Sequence, residues 1–189
     1  MHLIPQRSVN EFFHEAVGEA LDNQGVKATE PARFYLVNLL AEYATHTIGD
    51  GPLGIELAEA AWRTPEERAS TLREVGDRSL YVSGFFAESL QRKLVDVDYY
   101  IQVGGTAYRQ LASMHGAQRV RGIGGDVFRE LAEQFAVFVE VLTEVSEATL
   151  HGGANVVQLW ERWTRTGSPS AAKRLRAHGV FATRRGAAQ

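Results

Sequence analysis

The sequence predicts an all-α, single-domain bundle of seven to eight helices. Apolar residues recur at helical spacing along most of the 189-residue chain. Helix caps and turn residues divide these stretches into segments of ordinary helix length. No stretch shows the strict alternation of apolar and polar residues that is typical of a strand. A chain of this length can bury about 70% of its unfolded surface in one core.

The composition is that of an ordinary globular protein, with 44% hydrophobic and 23% charged residues. The chain contains no cysteine, which excludes disulfides, thiolate zinc sites and cysteine nucleophiles. No run of apolar residues is long enough to predict a membrane span, and residues 1–13 lack the basic and apolar regions of a secretory signal. These features predict a cytoplasmic protein with no membrane partner.

The net charge of −3 is unevenly distributed along the chain. Residues 160–189 hold seven Lys or Arg against one acidic residue, so the remainder is strongly acidic. We therefore predict an acidic helical body, residues 1–153, and a basic C-terminal helical pair, residues 154–189, packed on the body within one domain. The basic segment could bind nucleic acid, although docking on the body is the favoured interpretation. The candidate nucleic-acid-binding residues are Arg162, Arg165, Lys173, Arg174 and Arg176.

The first two helices are bounded by capping residues. A capping box that pairs Ser8 with Glu11 predicts the start of the first helix, and Gly25 predicts its end. The second begins at Glu30 or the residue before it, because Pro31 is tolerated in a first turn. Its apolar residues surround most of its circumference, which predicts a buried central helix.

The next elements are a short third helix, residues 53–62, and a longer fourth helix. Thr64 is predicted to cap the fourth helix, since a proline follows at its first position. The Ser83-Gly84 pair is expected to kink or end this helix. Helical spacing resumes over residues 85–94.

A tyrosine-rich helix is predicted from Val97, with Asp96 as its cap and Gly116 as its end. The Gly104-Gly105 pair lies in the middle of its apolar face. Each glycine costs about 1 kcal/mol relative to alanine inside a helix. A second helix or a ligand must therefore come close, and close helix packing is the favoured explanation.

The last third of the chain is predicted to contain one long helix and two shorter ones. Asp126 is expected to cap the long helix, which reaches about Leu150 and keeps the near-heptad apolar spacing suited to a bundle. The shorter helices are predicted over residues 155–165 and 168–178. Trp160 and Trp163 are expected to anchor this small lobe in the core.

Three segments resemble an uncharacterised family of bacterial all-helical proteins of about this length. They are the central GDRSLYVSGFFAESLQRKLVDVDYYIQVGGTAYRQLA, the earlier FYLVNLLAEY and the later LWERWTRTGSPSAAKRLRAHG. The resemblance covers residues 8–179. It implies a one-domain bacterial protein and brings with it neither an activity nor functional residues.

Glutamate and histidine share a helical face at three places. Glu11 and His14 have the Glu-x-x-His spacing of di-iron bundles, which need a second such motif and two further glutamates. The other two pairs, Glu42 with His46 and Glu147 with His151, are four residues apart, a spacing that suits either one metal ion or a solvated surface contact. A haem or another planar ligand between His14 and the glycine pair is a related alternative. The candidate metal ligands are Glu11, His14, Glu42, His46 and His151.

No arrangement of residues predicts a catalytic site or a cofactor. The leading hypothesis is a non-catalytic cytoplasmic protein that acts through protein–protein contacts, as an adaptor, a regulator or the subunit of a homo-oligomer. It depends on the long apolar helix faces, which exceed what one small bundle needs. One alternative is a nucleic-acid-binding regulator that uses the basic C-terminal lobe. The other is a helical protein that binds a metal or a haem-type ligand.

Overall fold

The computed structural model describes residues 9–45, 48–49, 51–90, 96–117, 124–150, 163 and 166–177. These residues contain helices and no strand, which confirms the predicted all-α, single-domain bundle. The helices are α1 (Val9–Gln24), α2 (Glu30–Thr45), α3 (Leu53–Glu59), α4 (Pro65–Phe85), α5 (Ala87–Leu90), α6 (Val97–Ala117), α7 (Gly124–Glu133), α8 (Phe135–Leu150) and a C-terminal helix (Pro169–Ala177), with a 3₁₀ turn (Ala60–Trp62) after α3. No described helix is long and apolar enough to cross a membrane.

The centre of the bundle is α4. It packs against α6 and α8 and also contacts α2 and α3, and all seven of its residues from position 75 to position 81 are buried. The prediction that α2 is the buried central helix is therefore wrong. Leu36 and Leu40 of α2 face the core, but Phe34 is 66% exposed. Apolar residues around a whole helix indicate burial only if all of them find partners.

The start of α4 confirms the predicted cap. The Thr64 hydroxyl accepts a hydrogen bond from the Glu67 backbone N–H at 3.4 Å, and the Glu67 carboxylate accepts one from the Thr64 N–H at 3.1 Å. This reciprocal pair is a complete capping box.

The predicted kink at Ser83-Gly84 is wrong, because α4 continues through the pair to Phe85. The Ser83 hydroxyl donates to the carbonyl of Ser79 at 2.6 Å within the same helix. A Cβ on Gly84 would lie 2.5 Å from Leu142 Cβ of α8. The glycine therefore permits close packing of two helices and does not break its own.

The tyrosine-rich helix is α6. Its predicted cap is confirmed, since the Tyr99 N–H donates to Asp96 Oδ1 at 3.1 Å. A Cβ on Gly104 would collide with the Phe135 ring and would lie 2.6 Å from Ser79 Cβ. This confirms close helix packing as the reason for the glycine.

Two glycines were predicted to end helices, and the structure confirms one of them. Gly25 follows the last residue of α1 with φ +66°, as a C-terminal cap should. Gly116 lies inside the last turn of α6, which ends one residue later at Ala117. The predicted cap at Ser8 lies outside the described residues.

The single long helix that was predicted from Asp126 to Leu150 is two helices. The first, α7, begins at Gly124, so Asp126 lies in its first turn and accepts a hydrogen bond from Arg129. A turn at Gln134 separates α7 from α8. The prediction of one helix capped by Asp126 is therefore wrong, because α7 begins two residues before Asp126 and ends at Glu133. Most of the apolar residues that the prediction placed on one face are buried.

The C-terminal helix packs on α1. Gly167 lies two residues before the start of this helix. It has φ +66° and donates its N–H to the carbonyl of Trp163 at 2.8 Å. Trp163 is buried, as predicted. Lys173 of the C-terminal helix donates from Nζ to the carbonyl of Asn23, at the end of α1. Most of the predicted helix over residues 155–165 lies outside the described residues.

Candidate functional site

A buried aspartate in the middle of α4 is the most unusual polar residue of the described core. Asp77 is only 8% exposed. Its Oδ1 accepts hydrogen bonds from the hydroxyls of Tyr35 on α2 and Tyr108 on α6, each at 2.6 Å. One carboxylate oxygen is therefore held by phenols from two neighbouring helices.

The second oxygen, Oδ2, has a different environment. Its nearest charged neighbour is Arg73, one turn earlier on α4, whose Nε lies 3.6 Å away. Arg73 instead donates to the Tyr35 hydroxyl at 3.2 Å, and its guanidinium carbon lies 5.5 Å from the centre of the Tyr35 ring. Within the described part of the chain, Oδ2 accepts no hydrogen bond, so it keeps its capacity to accept one.

Burial raises the pKa of Asp77 to about 6, while the hydrogen bonds from Tyr108 and Tyr35 and the charge of Arg73 partly oppose this rise. The carboxyl is therefore ionised at neutral pH and takes up a proton just below it. Burial, together with the charge of Asp77, raises the pKa of both tyrosines above the ordinary value. Both phenols consequently remain protonated and act as hydrogen-bond donors.

A glycine makes room for this network. A Cβ on Gly76 would lie within 3 Å of the Tyr108 ring, so only glycine lets the phenol pass beside α4 to reach Asp77. The Tyr108 ring stacks on Phe128 of α7, with ring centres 5.7 Å apart. The Tyr108 ring therefore packs between Gly76 of α4 and Phe128 of α7.

Two clefts meet at Asp77. The aromatic cleft has a volume of about 370 Å³ and is lined, besides the shared residues, by Pro31, Phe34, Tyr35, Asn38, Leu39, Gly124, Val127 and Phe128. The acidic cleft has a volume of about 410 Å³ and is lined by Tyr43, Gly49, Ser70, Glu74 and Arg78. Glu42, Arg73 and Asp77 line both clefts. Each volume lies in the range of small-molecule sites.

One wall of the acidic cleft is fixed by Arg78, which is almost fully buried. Its Nη1 donates to both carboxylate oxygens of Glu56, at 3.0 and 2.8 Å. Its Nη2 donates to the carbonyls of Gly49 and Gly51, at 2.7 and 2.8 Å. The guanidinium thus ties the connection between α2 and α3 to α4. It forms ion pairs with Glu56 at 2.8 Å and with Glu74 at 3.9 Å.

This arrangement allows two kinds of chemistry. An ionised carboxylate in a partly desolvated cleft can bind a cation, or it can accept a proton from a bound molecule. Carboxyl groups with a pKa raised towards neutrality are concentrated at functional sites. Since Tyr35 and Tyr108 occupy Oδ1, Oδ2 is the carboxylate oxygen with remaining capacity to accept a hydrogen bond.

The candidate metal ligands are not brought together at this site. Glu42 lines both clefts, whereas Glu11 and His14 lie exposed on α1. His46 and His151 lie outside the described residues. Among the residues that the structure describes, no group of three or more His, Asp, Glu or Cys side chains could hold a metal ion.

The candidate nucleic-acid-binding residues are only partly described. Lys173 makes the contact with Asn23 that joins the C-terminal helix to α1, which favours the docking interpretation. Arg162 and Arg165 lie outside the described residues. Arg174 and Arg176 lie on the C-terminal helix, but their side chains lie outside the described part.

Sequence reasoning missed the Asp77 network. Helical spacing places Tyr108 on the apolar face of the tyrosine-rich helix, and it does not single out Tyr35, Arg73 or Asp77. The available indication was an aspartate and an arginine directly after Gly76, far from either end of a helix. Capping explains charged residues at helix ends but not in the middle.

Comparisons with known proteins do not assign the chain to a family. No family model matches the sequence, and neither the curated proteins nor the solved structures contain a significant match. The resemblance to a bacterial family stays a prediction. The geometry around Asp77 is therefore the basis for a proposed function.

Proposed function

We propose that this protein binds a small organic molecule in the aromatic and acidic clefts. The observation that carries the proposal is the position of Asp77, a largely buried carboxylate that lines both clefts and is ionised at neutral pH. Among the described residues, its Oδ2 is contacted by Arg73 as an ion pair at 3.6 Å. Burying an ionised carboxylate is unfavourable unless its oxygens are paired. A ligand in the clefts could donate a hydrogen bond to Oδ2, at a shorter distance than the 3.6 Å ion pair with Arg73.

The apolar wall of the aromatic cleft supports the same proposal. Phe34 is 66% exposed at this cleft, and Leu39 and Val127 line it as well. Sites for small molecules combine an apolar lining with a few polar groups that fix orientation. A ligand would cover Phe34 and remove its apolar surface from water.

The experiment is a thermal-shift screen of small organic compounds, followed by calorimetric titration of those that raise Tm. The variant Asn38→Trp places a large side chain in the aromatic cleft without changing its charge. Asn10→Trp, on the exposed surface of α1, is the matched control. Compounds that bind the wild type and Asn10→Trp should fail to bind Asn38→Trp. Equal binding by all three proteins, or no binding to the wild type, would overturn the proposal.

A second candidate function is favoured by a different observation. Trp62 is 91% exposed and Ile55 is 56% exposed. They lie two turns apart, on the same side of α3 and its 3₁₀ turn. Tryptophan is enriched among the residues that dominate protein–protein interfaces. We propose that this apolar surface joins two copies of this cytoplasmic protein.

Sedimentation velocity across a wide range of protein concentrations tests this second proposal. The wild type should associate as concentration rises, and Trp62→Glu should remain monomeric because a charge would be buried at the interface. Val137→Glu introduces the same charge at an exposed apolar residue of α8 and should associate like the wild type. A wild type that is monomeric throughout contradicts self-association.

A further inference from the structure

Several charged side chains that line the clefts form ion pairs. Arg73 and Asp77 line both clefts, and Arg73 Nε lies 3.6 Å from Asp77 Oδ2. In the acidic cleft, Arg78 forms ion pairs with Glu56 and with Glu74. Opposite charges within these pairs offset each other. The arrangement of hydrogen-bond donors and acceptors is therefore a better guide to the ligand than the sum of the charges.

Arg73 and Asp77 together present a donor and an acceptor side by side. The hydroxyls of Tyr35 and Tyr108 occupy Asp77 Oδ1, so Oδ2 is the oxygen that can accept a further hydrogen bond. Arg73 donates from Nε to the Tyr35 hydroxyl, and its guanidinium carries further N–H donors on the Nη atoms. Its side chain is 57% exposed, so these donors can reach a molecule in either cleft.

A neutral ligand group can use this donor and this acceptor without breaking the ion pair. A cation at Oδ2 would compete with the Arg73 guanidinium, and an anion at the guanidinium would compete with the Asp77 carboxylate. A neutral group that carries an N–H beside a carbonyl competes with neither. Its N–H can donate to Oδ2 at a distance shorter than the 3.6 Å of the ion pair, while its carbonyl accepts from an Nη atom of Arg73.

The aromatic cleft adds walls that suit a flat ring. Phe34, Tyr35 and Phe128 line it, and Phe34 is 66% exposed. Aromatic side chains pack against planar rings in stacked or edge-to-face arrangements. Asn38 also lines this cleft, and its neutral side-chain amide both donates and accepts hydrogen bonds. This polar group therefore suits a neutral amide as well.

We propose that the ligand is a neutral, planar heterocycle that contains a cyclic amide, with its N–H next to its carbonyl. This inference rests on the proposed small-molecule function and names the class of molecule for the same clefts. The N–H donates to Asp77 Oδ2, the carbonyl accepts from Arg73, and the ring lies against Phe34 and Phe128. The ion pair between Arg73 and Asp77 stays in place and orients the amide.

The test uses three neutral probes of similar size. Quinolin-2(1H)-one carries both the N–H and the carbonyl, its N-methyl derivative keeps only the carbonyl, and indole keeps only an N–H. Calorimetric titration of the full chain at neutral pH should show that quinolin-2(1H)-one binds at least about tenfold more tightly than either of the others, because each of those lacks one hydrogen bond to a charged group.

Two variants change one partner of the amide each. Because both phenols donate to Oδ1, the side chain of Asp77→Asn should keep its oxygen there and place its NH₂ where Oδ2 was. That group cannot accept, so Asp77→Asn should bind quinolin-2(1H)-one no more tightly than the wild type binds the N-methyl derivative. Arg73→Met removes the donors to the carbonyl and should weaken quinolin-2(1H)-one about tenfold, while indole binds as before.

Asp22→Asn and Arg109→Met are the matched controls, since they make similar changes at exposed residues outside both clefts. Both should bind all three probes like the wild type. Quinolin-2(1H)-one affinities that neither Asp77→Asn nor Arg73→Met changes would show that the assigned partners are wrong.

The probes also separate this inference from the proposed function. If the N-methyl derivative or indole binds as tightly as quinolin-2(1H)-one, ligand binding stands and the cyclic amide is the wrong class. If none of the three probes binds, the inference is wrong. Compounds that bind the wild type in the thermal-shift screen but not Asn38→Trp would then show that the clefts still bind small molecules of another class.

Discussion

Asp77 combines burial with an ionised carboxyl in the middle of a helix, and this combination has a consequence for stability. The ordinary pKa of an aspartate is 3.8, and burial raises that of Asp77 to about 6. The folded state therefore binds this proton more tightly than the unfolded state does. The raised pKa favours folding at low pH, and this contribution is lost as the pH rises from about 4 to about 6.

The variant Asp77→Asn removes this titration. We expect the free energy of unfolding of the wild type, relative to that of Asp77→Asn, to fall by about 3 kcal/mol between pH 4 and pH 6 and then to stay level. Urea denaturation of both proteins at several pH values measures the difference. Asp126→Asn, in the exposed first turn of α7, should instead parallel the wild type. A difference between wild type and Asp77→Asn that is constant across this range would contradict the assignment.

The partners of Asp77 show why a site of this kind is hard to predict from sequence. Tyr35 and Tyr108 lie 42 and 31 residues away along the chain. Helical spacing shows which residues share a face of one helix, but it does not show which faces of three helices meet. Gly76 is a local sign that something approaches α4, yet the approaching residue lies on α6.

Helix starts were the most predictable elements, because caps are encoded within four residues. The Thr64 box and the Asp96 cap are both confirmed. The errors arose where a residue serves a neighbouring helix. Gly84 was interpreted as a helix breaker, but its missing Cβ makes room for Leu142 on α8, which local sequence does not reveal.

The two adjacent glycines of α6 give a matched test of helix packing. A Cβ on Gly104 would collide with Phe135 and Ser79, whereas the atom nearest to a Cβ on Gly105 is the Ala132 carbonyl oxygen at 3.9 Å. Gly104→Ala should therefore destabilise the protein by about 1–3 kcal/mol through overpacking. Gly105→Ala should be neutral or stabilising by up to about 1 kcal/mol, because alanine favours the helix.

Urea denaturation at neutral pH compares both glycine variants with the wild type. The two substitutions add the same methyl group to the same helix one residue apart, so helix propensity is common to both. A Gly104→Ala protein as stable as Gly105→Ala would show that α4, α6 and α8 separate readily at this point.

At the scale of the whole molecule, the end of α1 connects the body to the C-terminal helix. Glu144 of α8 is buried and accepts hydrogen bonds from Asn23 Nδ2 and Gln24 Nε2, both at 2.8 Å. The carbonyl of the same Asn23 accepts the hydrogen bond from Lys173. The C-terminal helix therefore docks on a part of α1 that is itself held by the core.

This connection predicts that the basic C-terminal segment unfolds together with the acidic body. In a Trp62→Phe, Trp160→Phe variant, the fluorescence of the remaining Trp163 reports on the C-terminal segment, while far-UV circular dichroism reports mainly on the helices of the body. Trp163 is buried, so its fluorescence should change when it becomes exposed. For one cooperative domain, both signals should show the same urea midpoint.

Lys173→Ala should shift both midpoints together and only slightly, because an exposed hydrogen bond contributes about 1 kcal/mol or less. A fluorescence midpoint at clearly lower urea would instead show that residues 154–189 form a separately unfolding unit, and the division of the chain into body and C-terminal pair would then mark two domains.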